Sequence, residues 1–328
     1  MGNIKLFIYH DKKGWDVSNL VKEITWFGRK GSLSRVLEVT LSDDDTKGQD
    51  RMKMDVEKGY TCVFQWKGNE KFRGIIMRQT QSDKKELKIK AYDECIYLAN
   101  SKDSFSYKNK TATEIFKNCL KRAGLTPGTV VNTGYKIKSL QKSKSFFSDC
   151  LLDALSTTYK NTKKRYYIRA DGGKISLLRR KEHMTQWVLE VGANISGYTY
   201  DKSIEKIKTR FRIYSDKSKV VYEKKNAKLE KRLGRFMMVD SVDDKQNDAQ
   251  IKKLVNSLME ENGYPEESLS VSTLGIISAI AGGCLYVIIP HLGIKRTFYI
   301  DEDKHTFKGE THTMSLTLNF ATDVASAG

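Results

Sequence analysis

This 328-residue sequence has few prolines, no regularly spaced cysteines and no long apolar run. Its prolines are only three, Pro127, Pro265 and Pro290, which excludes a long proline-rich linker. No apolar run approaches the roughly 18 to 20 residues of a membrane-spanning helix. Charged residues interrupt the N-terminal stretch too early for a secretory signal. We therefore expect a soluble protein made in the cytoplasm, with no membrane contact.

The cysteines are few, odd in number and widely separated, and no two of them form a CxxC pair. They lie among apolar or β-prone neighbours, which is typical of small buried side chains in a reduced compartment. The five are Cys62, Cys95, Cys119, Cys150 and Cys284. Neither a disulfide framework nor a zinc site is predicted.

Catalytic motifs are also missing. The sequence contains no GxSxG, no HExxH, no P-loop and no dinucleotide-binding glycine pattern. A cell-wall hydrolase needs two positioned carboxylates, and although Glu94, Glu190 or Asp240 could be nominated, nothing in the sequence pairs any of them. We expect no catalytic residue, no cofactor and no enzymatic activity.

Two histidines near the C-terminus are the best candidates for a metal site. His305 and His312 flank a predicted hairpin turn, with Asp301, Glu302 and Asp303 just before them. Their separation matches neither a zincin nor a zinc finger, and no third histidine lies nearby. We therefore predict no metal here and expect both histidines to be structural anchors of the final hairpin.

Charge divides the chain unevenly. Residues 102–182 carry a net charge of +13, whereas residues 240–328 carry −6. A basic segment of this kind could face nucleic acid or an acidic partner. A solvated lysine-rich surface explains it as well, and we prefer that interpretation.

Both ends of the sequence have the period of half-buried β-strands. Short runs such as IKLFIYH and ELKIKAYDE recur about every 10 residues in the first third, between turn residues. Towards the C-terminus, apolar residues alternate at Leu285, Val287 and Ile289, and again from Met314 to Phe320. These patterns predict antiparallel sandwiches or barrels at both ends.

Helices are predicted between and within these β regions. Thr111 and Glu114 form a capping box that opens one helix, and a second begins near Ser145, before a hairpin with Asp171 near its tip. A single helix, following Asp243 and Asp244, is expected in the last third. Its apolar stripe has the spacing i, i+3, i+4, i+7, i+8. The stripe consists of Ile251, Leu254, Val255, Leu258 and Met259.

Three blocks carry a resemblance to a known family. The first is Trp15–Leu41 together with FRGIIMRQT, the second is SFFSDCLLDALSTTY with KRYYIRADGGKISLLRR, and the third is LGRFMMVDSVDD with FYIDEDKHTFKGETHTMSLTLNF. In this order the blocks resemble the baseplate hub proteins of contractile phage tails. The resemblance is to the XkdQ-type hubs of Gram-positive prophages and tailocins, and more distantly to late-control D proteins.

The resemblance implies a mainly β fold with an α+β insert. Two tube-like β-barrel or sandwich domains, residues 1–101 and 188–328, would flank a small basic α+β domain, residues 102–187. The expected anchors of hairpins and of the helix are Trp26, Gly74, Ile251, Leu254, Leu258, His305 and His312.

The resemblance also implies a function and partners. Three copies would form a pseudo-sixfold ring that joins the hexameric tail tube to the central spike. Further partners would be baseplate wedge or LysM-type tail proteins and the tape-measure protein. The protein would assemble in the host cytoplasm and end in the baseplate of a virion or tailocin. A tail-associated cell-wall hydrolase or wall-binding protein, and a nucleic-acid-binding protein, remain the alternatives.

Overall fold

A computed structural model describes residues 2–43, 56–83, 85–215, 219–242 and 247–320. Most of these residues lie in β-strands, as the alternation of apolar residues in the sequence predicts. The strands of these ranges are β1 (Ile4–His10), β2 (Lys13–Asp16), β3 (Val21–Arg29), β4 (Val36–Ser42), β5 (Thr61–Trp66), β6 (Asn69–Ser82), β7 (Glu86–Tyr92), β8 (Lys102–Thr111), β9 (Pro127–Val130), β10 (Lys136–Phe146), β11 (Tyr166–Asp171), β12 (Lys174–Arg179), β13 (Met184–Glu190), β14 (Ile195–Ser203), β15 (Arg210–Ser215), β16 (Val220–Lys225), β17 (Met237–Val242), β18 (Glu266–Leu274), β19 (Cys284–Ile289), β20 (Ile294–Lys308) and β21 (Thr311–Phe320). The helices are α1 (Ile96–Asn100), α2 (Ala112–Arg122), α3 (Phe147–Thr162), α4 (Ala227–Leu233) and α5 (Asp248–Asn262).

Thirteen of the strands form one sheet. Eleven follow the order β14-β18-β21-β20-β3-β4-β7-β6-β5-β1-β2, while β19 pairs with β20 and β13 pairs with β19. The 15-residue strand β20 connects the two ends of the sequence. Its first part pairs with β19 and its second part with β3, while β21 runs antiparallel along it. The N-terminal and C-terminal strands therefore belong to one hydrogen-bonded sheet.

One core lies among the N-terminal strands. Its buried side chains come from β1, β3, β4, β5, β6 and β7, and Phe307 of β20 is part of the same cluster. Burying each large apolar side chain contributes roughly 1.5 to 3 kcal/mol. Strand β20 thus contributes a side chain to the N-terminal core and also forms hydrogen bonds with the N-terminal strand β3.

A second core belongs to the α+β region. Helices α2 and α3 pack against β8, β10, β11 and β12, and their buried faces include Phe116, Cys119, Cys150 and Leu151. The Thr111–Glu114 capping box is present at the start of α2, as predicted. The predicted hairpin at Asp171 is also confirmed, since β11 and β12 pair antiparallel around it. All five cysteines are buried, and none of them forms a disulfide.

Residues 199–269 form a compact unit of their own, separate from residues 1–198 with 270–328. In the smaller unit, α5 covers a three-stranded sheet of order β16-β15-β17. A capping box of Asn247 and Gln250 opens α5. Asp243 and Asp244, the expected start, lie outside the described residues.

One expectation about the last third is wrong. It contains a second helix, α4, where a single helix was predicted. Asn226 caps α4 by accepting a bond from the Leu229 amide, and the sequence AKLEKRL is rich in residues of high helix propensity. The predicted fold class, mainly β with an α+β insert, is confirmed. The domain boundaries at 101/102 and 187/188 stay a prediction.

Candidate functional site: a buried polar cluster on strand β20

Strand β20 carries polar side chains into the core because it contains a bulge. Its register with β21 shifts between Ile300 and Glu302. Before the shift both faces are buried, from Thr297 to Ile300; after it only the face of Asp303, His305 and Phe307 is buried. A strand bulge of this kind inserts one residue and reverses the faces that follow it. The cluster of polar groups therefore depends on the bulge.

The centre of the cluster is a buried ion pair. Arg35 donates from Nη1 to Asp303 Oδ1 at 2.8 Å and from Nη2 to Asp303 Oδ2 at 2.5 Å. The guanidinium also lies 4.1 Å from the centroid of the Trp26 ring. Gly28 makes room for it, since a Cβ there would lie 2.5 Å from Arg35 Nη1. Two-point pairing and stacking on an aromatic ring are what arginine, rather than lysine, provides.

Arg35 is held through its backbone as well. Its amide donates to Asp93 Oδ2 at 3.0 Å, and the Cys95 amide donates to Asp93 Oδ1 at 3.0 Å. Burial nevertheless raises the pKa of Asp93 to about 7, because desolvation outweighs these donors. A carboxylate on each side thus fixes Arg35 between β3 and β4.

The two histidines form a hydrogen-bonded chain. His305 Nε2 lies 3.1 Å from the Ala279 carbonyl oxygen, and His305 Nδ1 lies 3.0 Å from His312 Nε2. A carbonyl oxygen can only accept, so in neutral His305 the proton is on Nε2 and Nδ1 accepts from His312. His305 also faces Trp26 across the β3–β20 pair, with ring centroids 5.3 Å apart.

Both imidazoles stay neutral at ordinary pH. Burial lowers the pKa of His305 to about 4, against a smaller opposing effect of Asp303. Burial, with the neighbouring His305 and Lys67, lowers the pKa of His312 to about 3. His312 is enclosed by the Phe307 ring, stacked at 4.2 Å, and by Gly275, where a Cβ would lie 2.1 Å from its ring. The pair therefore packs as polar core.

The remaining predicted anchors lie elsewhere. Gly74 is buried on β6, and a Cβ at this position would lie 2.1 Å from the Tyr92 carbonyl oxygen, so only glycine fits. Ile251 and Leu258 are buried in the core of the smaller unit, and Leu254 is half-buried against it. The anchoring role of all seven residues stays a prediction.

Sequence reasoning missed Arg35 and Asp93, and it considered Asp303 only as a possible metal ligand, not as the partner of a buried arginine. The signal for them would have been charged residues inside β-rich runs, but the bulge hides the face on which Asp303 lies. Within the described residues, no group of three or more His, Cys, Asp and Glu side chains could hold a metal ion. None of the helices in that part of the chain is long and apolar enough to cross a membrane.

The fold is that of phage-tail proteins. The 43 kDa tail protein of prophage MuSo2 from Shewanella oneidensis matches with a TM-score of 0.71 at 12% identity, covering 96% of this chain and 98% of that one. The E. coli c3393 protein, described as a type VI secretion component structurally similar to T4 tail proteins gp27 and gp5, matches with a TM-score of 0.58 at 11% identity. That match covers 98% of this chain and 78% of that one.

The chain belongs to the YQBQ-like family, whose model matches residues 24–319. The phage-like element PBSX protein XkdQ of Bacillus subtilis is 32% identical over 318 residues, which cover 95% of this chain and 96% of XkdQ. The resemblance to XkdQ-type proteins noted from the sequence blocks is confirmed. The protein is a structural protein of the phage tail and baseplate type.

Proposed function

We propose that this protein is the hub of a contractile-tail baseplate, in which three copies form a ring between the tail tube and the central spike. The observation that carries the proposal is the joining of N-terminal and C-terminal strands into one sheet through β20. Each copy thereby holds an N-terminal and a C-terminal β region side by side, so three copies offer six such regions. A ring of this kind matches a sixfold tube on one side and a threefold spike on the other.

The partners follow from this position. The protein contacts other copies of itself, the tail tube protein and the central spike protein, and at its periphery baseplate wedge or LysM-type tail proteins and the tape-measure protein. It assembles in the host cytoplasm and remains in the baseplate of the virion or tailocin. The likeness to the E. coli c3393 protein, whose description names gp27 and gp5, supports this assignment at the level of fold.

The proposed activity is geometric rather than catalytic. The strongly shifted groups of the polar cluster, His305, His312 and Asp93, are in hydrogen bonds with one another or with the backbone, and so are used in packing. Purified cell walls incubated with the protein should release no soluble fragments. Release that a single Asp or Glu substitution abolishes would instead support a wall hydrolase.

The ring itself is tested by mass. Sedimentation or mass photometry of the purified protein, alone and with its tail tube protein, should give a trimer. Negative-stain views along its axis should show six peripheral densities that alternate in two kinds. A protein that remains monomeric at micromolar concentration, alone and with the tube protein, contradicts the ring.

A further inference from the structure

One groove in the larger unit combines apolar walls with an excess of positive charge. It encloses about 410 Å³ between the β3–β4 turn, helix α3 and strand β11. Pockets that enclose a small ligand have volumes of this order, and a tyrosine side chain is no larger than such a ligand. The apolar lining residues include Leu33, Leu152, Leu155, Tyr159, Tyr166 and Ile168.

The charges of the groove are all of one sign. Six arginine and lysine residues line it, and none of its described lining residues is a carboxylate. Arg35 is occupied by Asp303, Arg169 pairs with Asp171, and both Lys30 and Arg180 approach Asp301. Arg165 stacks on Tyr159 at 4.1 Å and donates to its hydroxyl. Its Nε atom is buried without a hydrogen-bond partner, which leaves the groove short of acceptors.

The smaller unit carries a segment with the opposite character. The loop between α5 and β18 exposes 66% of Tyr264. Glu260, Glu261, Glu266 and Glu267 flank this tyrosine, and no lysine or arginine occurs between residues 254 and 294. Lys206 pairs with Glu266, and Lys202 approaches Glu267, which also accepts from the Tyr200 hydroxyl. Residues 254–294 thus contain four glutamates and no lysine or arginine of their own.

We propose that the groove of one copy receives the Tyr264 loop of a second copy. The inference rests on the proposed ring and identifies the contact that would close it. Tyrosine and arginine are among the residues that contribute most binding energy at protein interfaces, typically where a side chain of one protein fills a pocket of its partner. The arginines can stack on the tyrosine ring, and the flanking glutamates match the cationic lining.

The geometry of the pairing follows from the two surfaces being different. Groove and loop occupy separate parts of the chain, so the contact is head-to-tail, and repeated contacts close into a ring when the rotation allows it. The cationic lining of the groove and the four glutamates around Tyr264 then meet between copies. Because part of the attraction is electrostatic, salt should weaken it.

The test compares trimer dissociation constants by mass photometry and sedimentation. Tyr264→Ala should raise the constant at least tenfold, and so should Arg29→Glu, which reverses an exposed charge of the groove. Combining Arg29→Glu with Glu266→Lys should recover part of that loss. The control Phe236→Ala removes another exposed ring from the same unit and should leave the constant unchanged. Circular dichroism should show every variant folded.

Each other outcome contradicts the groove contact. A stable Tyr264→Ala trimer excludes the loop as occupant while leaving the ring intact. Loss of the trimer with Arg29→Glu but not with Tyr264→Ala means that another segment or partner fills the groove. Equal loss with Phe236→Ala places the interface elsewhere on the smaller unit. A monomeric wild-type protein contradicts the ring and the contact together.

Discussion

At the scale of single residues, Arg35 and Asp303 determine how β20 sits beside β3 and β4. Moving both charges from water into the core costs several kcal/mol, which their bidentate contact only offsets. The pair is therefore poor evidence of stability by itself. It does favour one strand register over others, because a shifted register would leave two buried charges without partners.

Removing one partner of this pair should strongly destabilise the protein. Asp303→Ala leaves the Arg35 guanidinium buried and unpaired, and should lower the free energy of unfolding by about 3 to 5 kcal/mol. Urea unfolding followed by circular dichroism measures the loss. As a control, Lys22→Ala breaks the exposed Lys22–Glu86 pair and should cost below about 1 kcal/mol. Similar losses for the two variants would mean that the Asp303 carboxylate is not sealed in the core.

The histidine pair predicts a loss of stability in acid. Its folded-state pKa values, about 4 for His305 and about 3 for His312, lie below the ordinary 6.5. Below pH 6.5 the unfolded chain therefore binds protons that the folded chain does not. The stabilisation is complete above pH 6.5 and is lost as the pH falls towards 4. Asp93, with a pKa raised to about 7, acts in the opposite direction in the same range.

A variant separates these contributions. His312→Gln keeps an N–H donor for His305 Nδ1 but removes one titrating group. Between pH 7 and pH 4.5 its unfolding free energy should fall by about 1 kcal/mol less than that of the wild type, a figure discounted for the partial exposure of His312. Asp93 is common to both proteins, so it cancels in the difference. Parallel pH profiles would show that His312 titrates normally.

At the scale of elements, the strands were predictable and the polar cluster was not. Alternation identifies β19 and β21, because each keeps one face buried, whereas in the first part of β20 both faces are buried from Thr297 to Ile300. After Ile300 the bulge reverses the faces, so alternation carried on from Phe298 would point Lys304, not His305, at the core. Trp26 and His305 were both expected to be anchors. They lie opposite each other because β3 pairs with β20, although the two residues are 279 positions apart in sequence. No local sequence pattern predicts a pairing over such a distance.

Gly74 makes an element-scale prediction about strand β6. Gly74→Ala places a Cβ 2.1 Å from the Tyr92 carbonyl oxygen of the neighbouring strand, and should destabilise the protein by about 1 to 3 kcal/mol, as overpacking does. Gly197→Ala is the matched control, since a Cβ there meets nothing within 4 Å, and should be neutral or slightly stabilising. Equal thermal stability of the two variants would contradict the close approach of β6 and β7.

At the scale of the whole molecule, the smaller unit is an insertion in the larger one. Residues 199–269 leave from β14 and return on β18, and these two strands are neighbours in the large sheet. A short linker can therefore close the gap, since joining neighbouring strands requires only a few residues. Apart from the ends of β14 and β18, the large sheet, the two cores described above and the Arg35–Asp303 pair are built without the inserted residues.

Replacing residues 199–269 by a short glycine-serine linker should thus leave a folded protein. We expect one cooperative urea transition, because the cores that dominate its stability remain, and the far-ultraviolet spectrum should keep its β character. The same deletion removes Tyr264 and its flanking glutamates, so the shortened protein should be monomeric at concentrations where the full chain is trimeric. An aggregated product without a transition would show that the larger unit depends on the insertion. A shortened chain that still forms trimers would show that the ring closes through the larger unit alone.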